Sequence, residues 1–183
     1  MDREKAYGLM QEYIKDDNLR KHSLAVEAVM RKLAAKFAED EDLWGLAGLL
    51  HDIDYEETKE DPAKHSIVGS EMLEKMGLPA ELVYAVKVHN DYHGFPRENN
   101  IDKALFCIDP LTGLITAAAL VRPDKKIASV KTKSIKKKFK DNAFARGANR
   151  ETIKSCSELG LSLEEFFDLA LEAMQEVSGE LGL

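Results

Sequence analysis

Residues 46–54 read Leu-Ala-Gly-Leu-Leu-His-Asp-Ile-Asp, an apolar run that ends in ionisable side chains. The run has the composition of a buried helix, and the adjacent pair His51 and Asp52 closes it. A buried carboxylate without a cation takes up a proton or destabilises the fold, at a cost on the order of several kcal/mol. A bound divalent metal ion meets that need, so the stretch predicts a core helix whose end supplies metal ligands.

A second carboxylate, Asp109, interrupts the apolar segment Ala104–Val121, which also contains Pro110 and Gly113. A transmembrane helix needs about twenty apolar residues and tolerates a central Asp poorly. The segment therefore predicts a helix buried on all sides in a soluble bundle, and no membrane span. The alternative is an exposed Asp-Pro step that breaks the helix.

Apolar residues recur with a period near 3.6 through most of the chain, and no stretch of strict alternation is long enough for a sheet. The sequence therefore predicts an all-α fold, a single-domain helical bundle. The polar segments Tyr55–Ala63 and Asn90–Asn100 are predicted loops beside histidine-bearing helix ends. The predicted helices are Arg3–Lys15, Leu19–Phe37, Asp42–Ile53, Lys64–Met76, Pro79–His89, Asp102–Leu120, Ser129–Lys140, Glu151–Leu159 and Leu163–Glu180.

The composition is that of a globular chain, because 183 residues with 44% hydrophobic and 32% charged side chains are enough for one domain. A formal net charge of −7 argues against nucleic acid as an obligatory partner. Cys107 and Cys156 have neither the count nor the spacing of a disulfide framework or zinc ribbon, so both are predicted to be reduced and structural. Residues 1–5 lack the apolar core of a signal peptide, which predicts a cytoplasmic protein.

Every histidine lies near the end of a predicted helix or beside a loop. Adjacent residues of a helix point about 100° apart, so one helix end can offer both an imidazole and a carboxylate to a cavity. Such donors, without thiolates, suit Mn, Fe, Co, Ni, Zn or Mg as a divalent ion. The candidate donors are His22, His51, Asp52, His65, His89, His93 and Asp109.

In their order along the chain, these donors resemble the H…HD…H…H…D pattern of the HD-domain superfamily of metal-dependent phosphohydrolases. The resemblance covers about residues 18–121, and the sequence His51-Asp52-Ile53-Asp54 is similar to the HDIG form of the doublet. Lys-His-Ser around His22 and Gly-Leu-Leu before the doublet make the match more specific than the dipeptide alone. It implies an HD-type core at about 18–121, with a C-terminal helical extension at about 122–183.

The resemblance also implies which residues hold metal. Four positions are shared by one-metal and two-metal members: His22, His51, Asp52 and Asp109. His65 and His89 match the additional histidines of two-metal members, in which the aspartate of the doublet bridges the ions. The implied cofactor is thus one or two divalent ions. His93 is a weaker candidate, and its alternative is a hydrogen-bonded residue that binds no metal.

The implied reaction is hydrolysis of a phosphoester by a metal-activated water, on a nucleotide or another small phosphorylated substrate. Asp52 is the implied catalytic carboxylate at the centre. Asp54, two residues further on, is predicted to relay a proton or to orient the water, unless it is only a helix-end carboxylate.

The chain departs from the HDIG pattern just after the doublet. HDIG members often carry a lysine there that neutralises phosphate, whereas this chain has Asp54-Tyr55-Glu56-Glu57. Phosphate binding must then come from elsewhere, and the basic segment Arg122–Lys154 is the candidate, with Arg122 and Lys126 as predicted substrate-binding residues. The alternative is a solvated helix face, since lysines along a helix keep a surface soluble.

Two other functions remain open from the sequence. The missing lysine and the acidic run favour a catalytically silent HD domain that binds metal in a regulatory or ligand-sensing role. The basic segment favours a helical adaptor that docks an acidic partner. The sequence does not define the metal, the number of ions, the substrate or the oligomeric state.

Overall fold

The computed structural model describes residues 1–183, and every regular element is helical. No strand is present, which confirms the predicted all-α fold. The α-helices are α1 Arg3–Tyr13, α2 Asp17–Phe37, α3 Glu41–Leu50, α4 Tyr55–Thr58, α5 Ile67–Lys75, α6 Ala80–Val88, α7 Asn100–Leu120, α8 Thr132–Phe139, α9 Arg150–Lys154, α10 Leu163–Glu176 and α11 Ser178–Leu181. Short 3-10 helices lie at Asp91–His93, Ile127–Ser129 and Ser155–Leu159.

Two helices of 21 residues each, α2 and α7, form the centre of the bundle. Helix α2 packs against α3, α7 and α10, and α7 also contacts α6, α8 and α9. Helix α7 contains the apolar segment predicted to be buried. It is long and apolar enough to cross a membrane by length and composition alone, and 61% of its apolar window is buried by the surrounding helices.

Amphipathic spacing explains how α2 is oriented in the bundle. Val26, Val29 and Leu33 recur at three- and four-residue intervals along one face and are fully buried. The carboxylate of Asp16 caps the N-terminus of this helix, because it accepts hydrogen bonds from backbone N–H groups of the first turn. His22 precedes Val26 by four residues, so it lies on the same face and points toward the interior.

The close contact between α2 and α3 brings the His-Asp doublet to His22. Gly48 of α3 lies against the backbone of Glu27 in α2, and a methyl group at Gly48 would be 2.9 Å from the N and Cα atoms of Glu27. Only glycine allows this approach without a shift of one backbone. Helix α3 therefore ends beside the first turns of α2, and the turn 51–54 that follows it faces His22.

One correction to the predicted helices affects the candidate site. The helix predicted at Lys64–Met76 begins only at Ile67, because Ser66 has a φ of 71°, outside the helical range. His65 therefore lies in the turn before α5 and does not start the helix. The smaller differences are a one-turn helix in the predicted loop Tyr55–Ala63, a 3-10 end to the helix predicted at Glu151–Leu159, and a break at Val177 in the one predicted at Leu163–Glu180.

The helices after α7 pack back onto it. Helices α8 and α9 contact α7, and α10 contacts both α2 and α7. Arg150 fixes the connection between α8 and α9, since its guanidinium donates to the backbone carbonyls of residues 138, 139, 141, 144, 145 and 148. The division into a core at about 18–121 and an extension at about 122–183 stays a prediction.

Candidate metal centre

The structure brings together all six residues that the sequence predicts as metal ligands. Two of them lie inside the central helices, and the others lie at helix ends or in turns, where their side chains converge on the space between α2, α3, α6 and α7. The six are His22 in α2, His51 and Asp52 just after α3, His65 before α5, His89 just after α6, and Asp109 in α7.

One half of the cluster, the first lobe, contains His22, His51, Asp109 and the Oδ2 atom of Asp52. His22 Nε2 lies 3.0 Å from Asp109 Oδ1 and 3.8 Å from Asp52 Oδ2. His51 Nε2 lies 3.3 Å from the same Asp52 Oδ2 and 4.0 Å from Asp109 Oδ1. These nitrogen and oxygen atoms therefore surround one small space.

The other half, the second lobe, contains His65, His89 and the Oδ1 atom of Asp52. His65 Nε2 lies 3.4 Å from this oxygen, and His89 Nε2 lies 3.5 Å from it. The two oxygens of Asp52 thus face different lobes. A carboxylate that bridges two ions requires this arrangement.

The distances between donor atoms are those expected around a metal ion. Donors about 2.1 Å from an ion lie about 3.0 Å apart at octahedral angles and about 3.4 Å apart at tetrahedral angles. Most separations within the lobes fall between 3.0 and 3.8 Å. The donor atoms of His22, His51 and Asp109 all lie within 4.8 Å of one another, as do those of His51, Asp52 and His89, and each group could hold an ion.

Backbone carbonyls orient two of the imidazoles. His51 Nδ1 donates to the carbonyl oxygen of Gly48 at 2.8 Å, and His89 Nδ1 donates to that of Val86 at 2.6 Å. A carbonyl can only accept, so each ring carries a hydrogen on Nδ1 and directs Nε2, the nitrogen that can bind a metal ion, at the cluster. A neutral imidazole in this tautomer is the form that binds a metal ion through Nε2.

Side chains orient the other two imidazoles in the same way. Thr112 Oγ1 donates to the backbone oxygen of Asp109 at 2.9 Å and lies 3.2 Å from His22 Nδ1, from which it accepts. His65 Nδ1 donates to Asp54 Oδ1 at 3.0 Å. All four histidines therefore present Nε2 to the cluster and hold Nδ1 outside it.

The residues present fit a divalent ion in each lobe. The Nε2 atoms of His51 and His89 are buried and have no hydrogen-bond partner. Burying a polar atom without a partner costs about 1–3 kcal/mol, and coordination of a metal ion would satisfy both atoms. Imidazole and carboxylate donors suit borderline to hard divalent ions.

Without a metal ion, the cluster holds protons. Burial disfavours the charged form of His51, but attraction and hydrogen bonding to the Asp52 carboxylate, with further attraction to Asp109, together outweigh burial and raise the pKa of His51 to about 9. Burial also opposes ionisation of Asp52, yet charge and hydrogen bonding from His51, together with contributions from His89 and His22, hold the pKa of Asp52 well below its ordinary value. Burial also lowers the pKa of His65, but the hydrogen bond to Asp54 and attraction to the carboxylates of Asp52 and Asp54 together outweigh it and raise this pKa. Metal binding must therefore displace protons.

Asp54 lies behind His65 and outside the cluster. Its side chain is fully buried, Oδ1 accepts from His65 Nδ1, and Oδ2 accepts from the backbone N–H of Gly69 at 2.8 Å. Both oxygens are engaged, so the carboxylate orients the His65 ring. The predicted catalytic role of Asp54 stays a prediction, and the geometry gives this residue a positioning role.

Polar contacts hold the turn that carries His65. Asn90 Nδ2 and His93 Nε2 both donate to the backbone oxygen of His65, at 3.2 and 3.1 Å. Ser66, whose backbone has a positive φ, donates from Oγ to the carbonyl oxygen of Lys87 at 3.0 Å. His93, the weaker candidate ligand, is thus hydrogen-bonded outside the two lobes.

The acidic run after the doublet is partly engaged elsewhere. Glu56 Oε1 accepts from the backbone N–H groups of Lys15 and Asp16, at 2.7 and 2.6 Å, and so holds the connection between α1 and α2. Glu57 is exposed, and the Tyr55 ring packs edge-on against His65 with 5.2 Å between ring centroids. The run therefore does not bring the Glu56 carboxylate into the cluster.

The structure does not bring Arg122 and Lys126 to the cluster. Helix α7 continues from Asp109 to Leu120, which is about 16 Å along the helix axis, and Arg122 follows that end. Arg122 Nε lies 3.5 Å from the carboxylate of Asp124, and Lys126 is exposed. Their role in substrate binding stays a prediction.

Sequence analysis misses two residues that orient the ligands. Thr112 follows Asp109 by three residues and therefore shares its helix face, which is a signal that the sequence contains. Asn90 contacts the backbone of His65, 25 residues earlier in the chain. No local pattern predicts that contact, because it depends on how α5 and α6 pack.

Comparison with known proteins accounts for this arrangement. The sequence profile of the HD domain matches residues 19–109, a range that contains all six clustered residues. The chain belongs to the HD-domain family. Proteins with an HD domain bind divalent metals, and the His/Asp group of this HD domain could hold such an ion.

Curated relatives of this HD domain are longer proteins. Ribonuclease Y of Desulfotalea psychrophila is 32% identical over 96 residues, which are 52% of this chain and 18% of the relative. Ribonuclease Y of Sulfurovum sp. is 26% identical over 168 residues, which are 90% of this chain and 32% of the relative. The chain therefore spans less than a third of the length of these relatives. No solved structure matches it.

Proposed function

We propose that this HD-domain chain is a metal-dependent phosphohydrolase, which cleaves a phosphoester bond of a nucleotide or another small phosphorylated molecule in the cytoplasm. The two-lobed cluster carries the proposal, because four imidazoles with fixed Nδ1 atoms and two carboxylates face a common space. Membership of a superfamily composed typically of hydrolases supports it.

The residues of each lobe would bind one ion. His22, His51, Asp109 and one oxygen of Asp52 would hold one ion, and His65, His89 and the other oxygen of Asp52 would hold a second. When bound, such ions lower the pKa of water toward neutrality and neutralise charge on the phosphoryl group. Asp52 shares its negative charge between the lobes, and the hydrogen-bonded Nδ1 atoms keep every ring in the orientation that binding requires.

Activity measurements test the proposal directly. Metal-free protein is reloaded with Mn, Co or Ni, and phosphate release is followed over a panel of nucleotides and small phosphate esters. We expect release to depend on the added ion and to disappear in Asp52→Ala, while Glu57→Gln, an exposed carboxylate nearby, retains it. A loaded protein that releases phosphate from no ester would count against the proposal.

A second candidate is a metal-binding HD domain that is catalytically silent and serves a regulatory or ligand-sensing role. The four residues Asp54-Tyr55-Glu56-Glu57 support it, since they contain no lysine and Arg122 lies beyond the far end of α7. Ligands would then raise the melting temperature of the loaded protein without turnover. Multiple turnovers on any ester would exclude this candidate.

The names of the relatives add RNA as an alternative substrate. Ribonuclease Y of Desulfotalea psychrophila shares 32% identity with about half of this chain, but the matched part is only 18% of that protein. RNA cleavage by this chain is therefore a proposal, which an oligoribonucleotide in the same substrate panel tests.

A further inference from the structure

The cluster opens to solvent mainly on the side of its first lobe. In the first lobe, the side chains of Asp109 and His22 are 34% and 22% exposed, whereas those of His65 and His89 in the second lobe are 15% and 2% exposed. A substrate phosphate must therefore approach past His22 and Asp109. Whatever the phosphate is attached to will lie beyond these two residues.

A cavity of about 350 Å³ begins on that open side. Helix α2 contributes Lys21 and His22 to its wall, and α7 contributes Gly113 and Ala117, which are one and two turns beyond Asp109. Residues four apart on a helix share a face, so this wall continues directly from the Asp109 carboxylate. The cavity is thus an extension of the metal centre along α2 and α7.

Gly113 has no side chain and therefore leaves space in the cavity. A side chain at Gly113 would meet no atom within 4 Å of its Cβ, so it would project into open space along the cavity wall. Glycine is unfavourable inside a helix relative to alanine, because its unfolded backbone has more freedom to lose. Helix α7 therefore gives up local stability at the position where a larger residue would fill the cavity.

The lining of the cavity defines the chemistry of its occupant. No acidic side chain lines it, and Lys21 is its only lysine or arginine. Lys21 is exposed and directly precedes His22 in α2, and a Cβ atom at Gly182 would be 3.2 Å from its Nζ, so the ammonium lies on the cavity wall. Apart from Lys21 and His22, the side chains that line the cavity are uncharged, with Leu120 and Leu181 among the apolar ones and Asn18 as a hydrogen-bonding one.

We propose that this cavity binds the organic group of a phosphate monoester, an uncharged group about the size of a nucleoside, with Lys21 at the edge of the phosphate. A volume near 350 Å³ lies at the lower end of small-molecule sites, which suits one nucleoside and not a polymer chain. The inference rests on the proposed function and narrows its substrate class to mononucleotides and esters of similar size. Gly113 is then the residue that determines how large the ester group can be.

Equilibrium binding separates the cavity from the metal centre. Manganese-loaded protein is titrated in a calorimeter with inorganic phosphate and with the phosphonate analogue of AMP, in which CH2 replaces the ester oxygen and prevents hydrolysis. We expect the phosphonate to bind about tenfold more tightly than phosphate, or better, because only it fills the cavity. Gly113→Leu should abolish that difference in affinity, whereas the matched variant Gly113→Ala should reduce it by about threefold at most.

Turnover provides the second readout. In Gly113→Leu, kcat/KM should fall about tenfold more for AMP than for glycerol phosphate, because the smaller organic group needs less of the space that the leucine fills. Both variants replace a helical glycine, so melting temperatures at or above that of the unmodified protein are expected and show that the fold is intact.

The failure of this inference differs from the failure of the proposed function. If the unmodified protein hydrolyses AMP and Gly113→Leu leaves kcat/KM for AMP unchanged, the cavity assignment is wrong and the metal centre stands. If an oligoribonucleotide is cleaved at a rate that Gly113→Leu does not change, the assignment is also wrong. If no ester releases phosphate, the proposed function and the inference fail together.

Discussion

At the scale of single residues, Asp54 is the position where a substitution best distinguishes a catalytic role from a role in orienting a metal ligand. Its two oxygens are occupied by His65 Nδ1 and Gly69 N–H, so an amide in its place would leave one of these donors facing another donor. We predict that Asp54→Asn lowers metal affinity in the second lobe by about 10–100-fold, as is typical for a residue that orients a ligand. Elemental analysis after dialysis against a manganese concentration that just fills both lobes of the unmodified protein should then give a stoichiometry that falls from two toward one.

The control for this prediction is Glu57→Gln, which removes an exposed carboxylate three residues away. It should leave the stoichiometry unchanged. A proton-relaying Asp54 would behave differently, since Asp54→Asn would then retain both ions and lose only kcat.

The proton held by His51 makes metal binding dependent on pH. Without metal, the pKa of His51 is raised to about 9, so the ring is protonated at neutral pH and an incoming ion must displace that proton. We predict that the apparent affinity of the first ion rises about tenfold per pH unit up to about pH 9 and then levels. Competition with a chelator of known protonation constants measures this slope, and equal affinities at pH 6.5 and 8.5, values within about 2.5 units of the pKa, would contradict the prediction.

At the scale of helices, the contact of α3 with α2 decides whether the doublet reaches His22. Gly48 lies so close to the Glu27 backbone that a methyl group must push the helices apart. We predict that Gly48→Ala lowers the free energy of unfolding by about 1–3 kcal/mol, the usual cost of overpacking. It should also weaken metal binding in the first lobe, because His51 follows the end of α3.

Gly8→Ala is the matched control in denaturant unfolding. Gly8 lies inside α1 and a methyl group there would meet no atom within 4 Å, so the substitution should be neutral or stabilising by up to about 1 kcal/mol. Equal stability of Gly48→Ala and Gly8→Ala would show that α2 and α3 are not in close contact.

Element by element, the sequence predicts more of the helices than of the turns between them. The stripe of Val26, Val29 and Leu33 identifies α2 because buried residues repeat with the period of a helix. The turn before α5 is different, since the left-handed backbone of Ser66 depends on its hydrogen bond to Lys87 in another helix. Such a contact leaves no periodic signal in the sequence. The sequence therefore predicts a helix that starts at Lys64 and includes His65, whereas α5 begins at Ile67.

At the scale of the whole molecule, metal binding should contribute to stability, because donors from distant segments meet only in the folded chain. We predict that manganese at about 100 times its dissociation constant stabilises the fold by about 2.7 kcal/mol. For a chain of this size, that corresponds to a rise in melting temperature of about 5–10 °C. Thermal unfolding with and without manganese measures it, and a chelator should reverse it.

Asp52→Ala should lose most of this rise, because Asp52 contributes one oxygen to each lobe. Glu57→Gln should keep it. A rise of equal size in Asp52→Ala would mean that manganese stabilises the protein from another place.

For the whole candidate site, the sequence predicts which residues are the metal donors better than it predicts the shape of the cavity beside them. The donors are conspicuous because ionisable side chains interrupt apolar runs, as at Asp109, and the structure brings them together. The cavity beside His22 has no such signal, since Gly113 and Lys21 are ordinary residues whose relation depends on the packing of α2 against α7. Shape, unlike donor chemistry, is a property of the assembled helices.

The ligands of the two lobes are held by different kinds of structure, so the two ions should differ in how readily they are lost when a cell is short of manganese or iron. His22 and Asp109 belong to the two central helices, whereas His65 sits on a turn that Asp54, Asn90 and His93 must hold in place. The ion beside His65 would leave first, while its neighbour stayed bound. The protein would then respond to falling metal supply in two steps, with a half-loaded form between the full and the empty one.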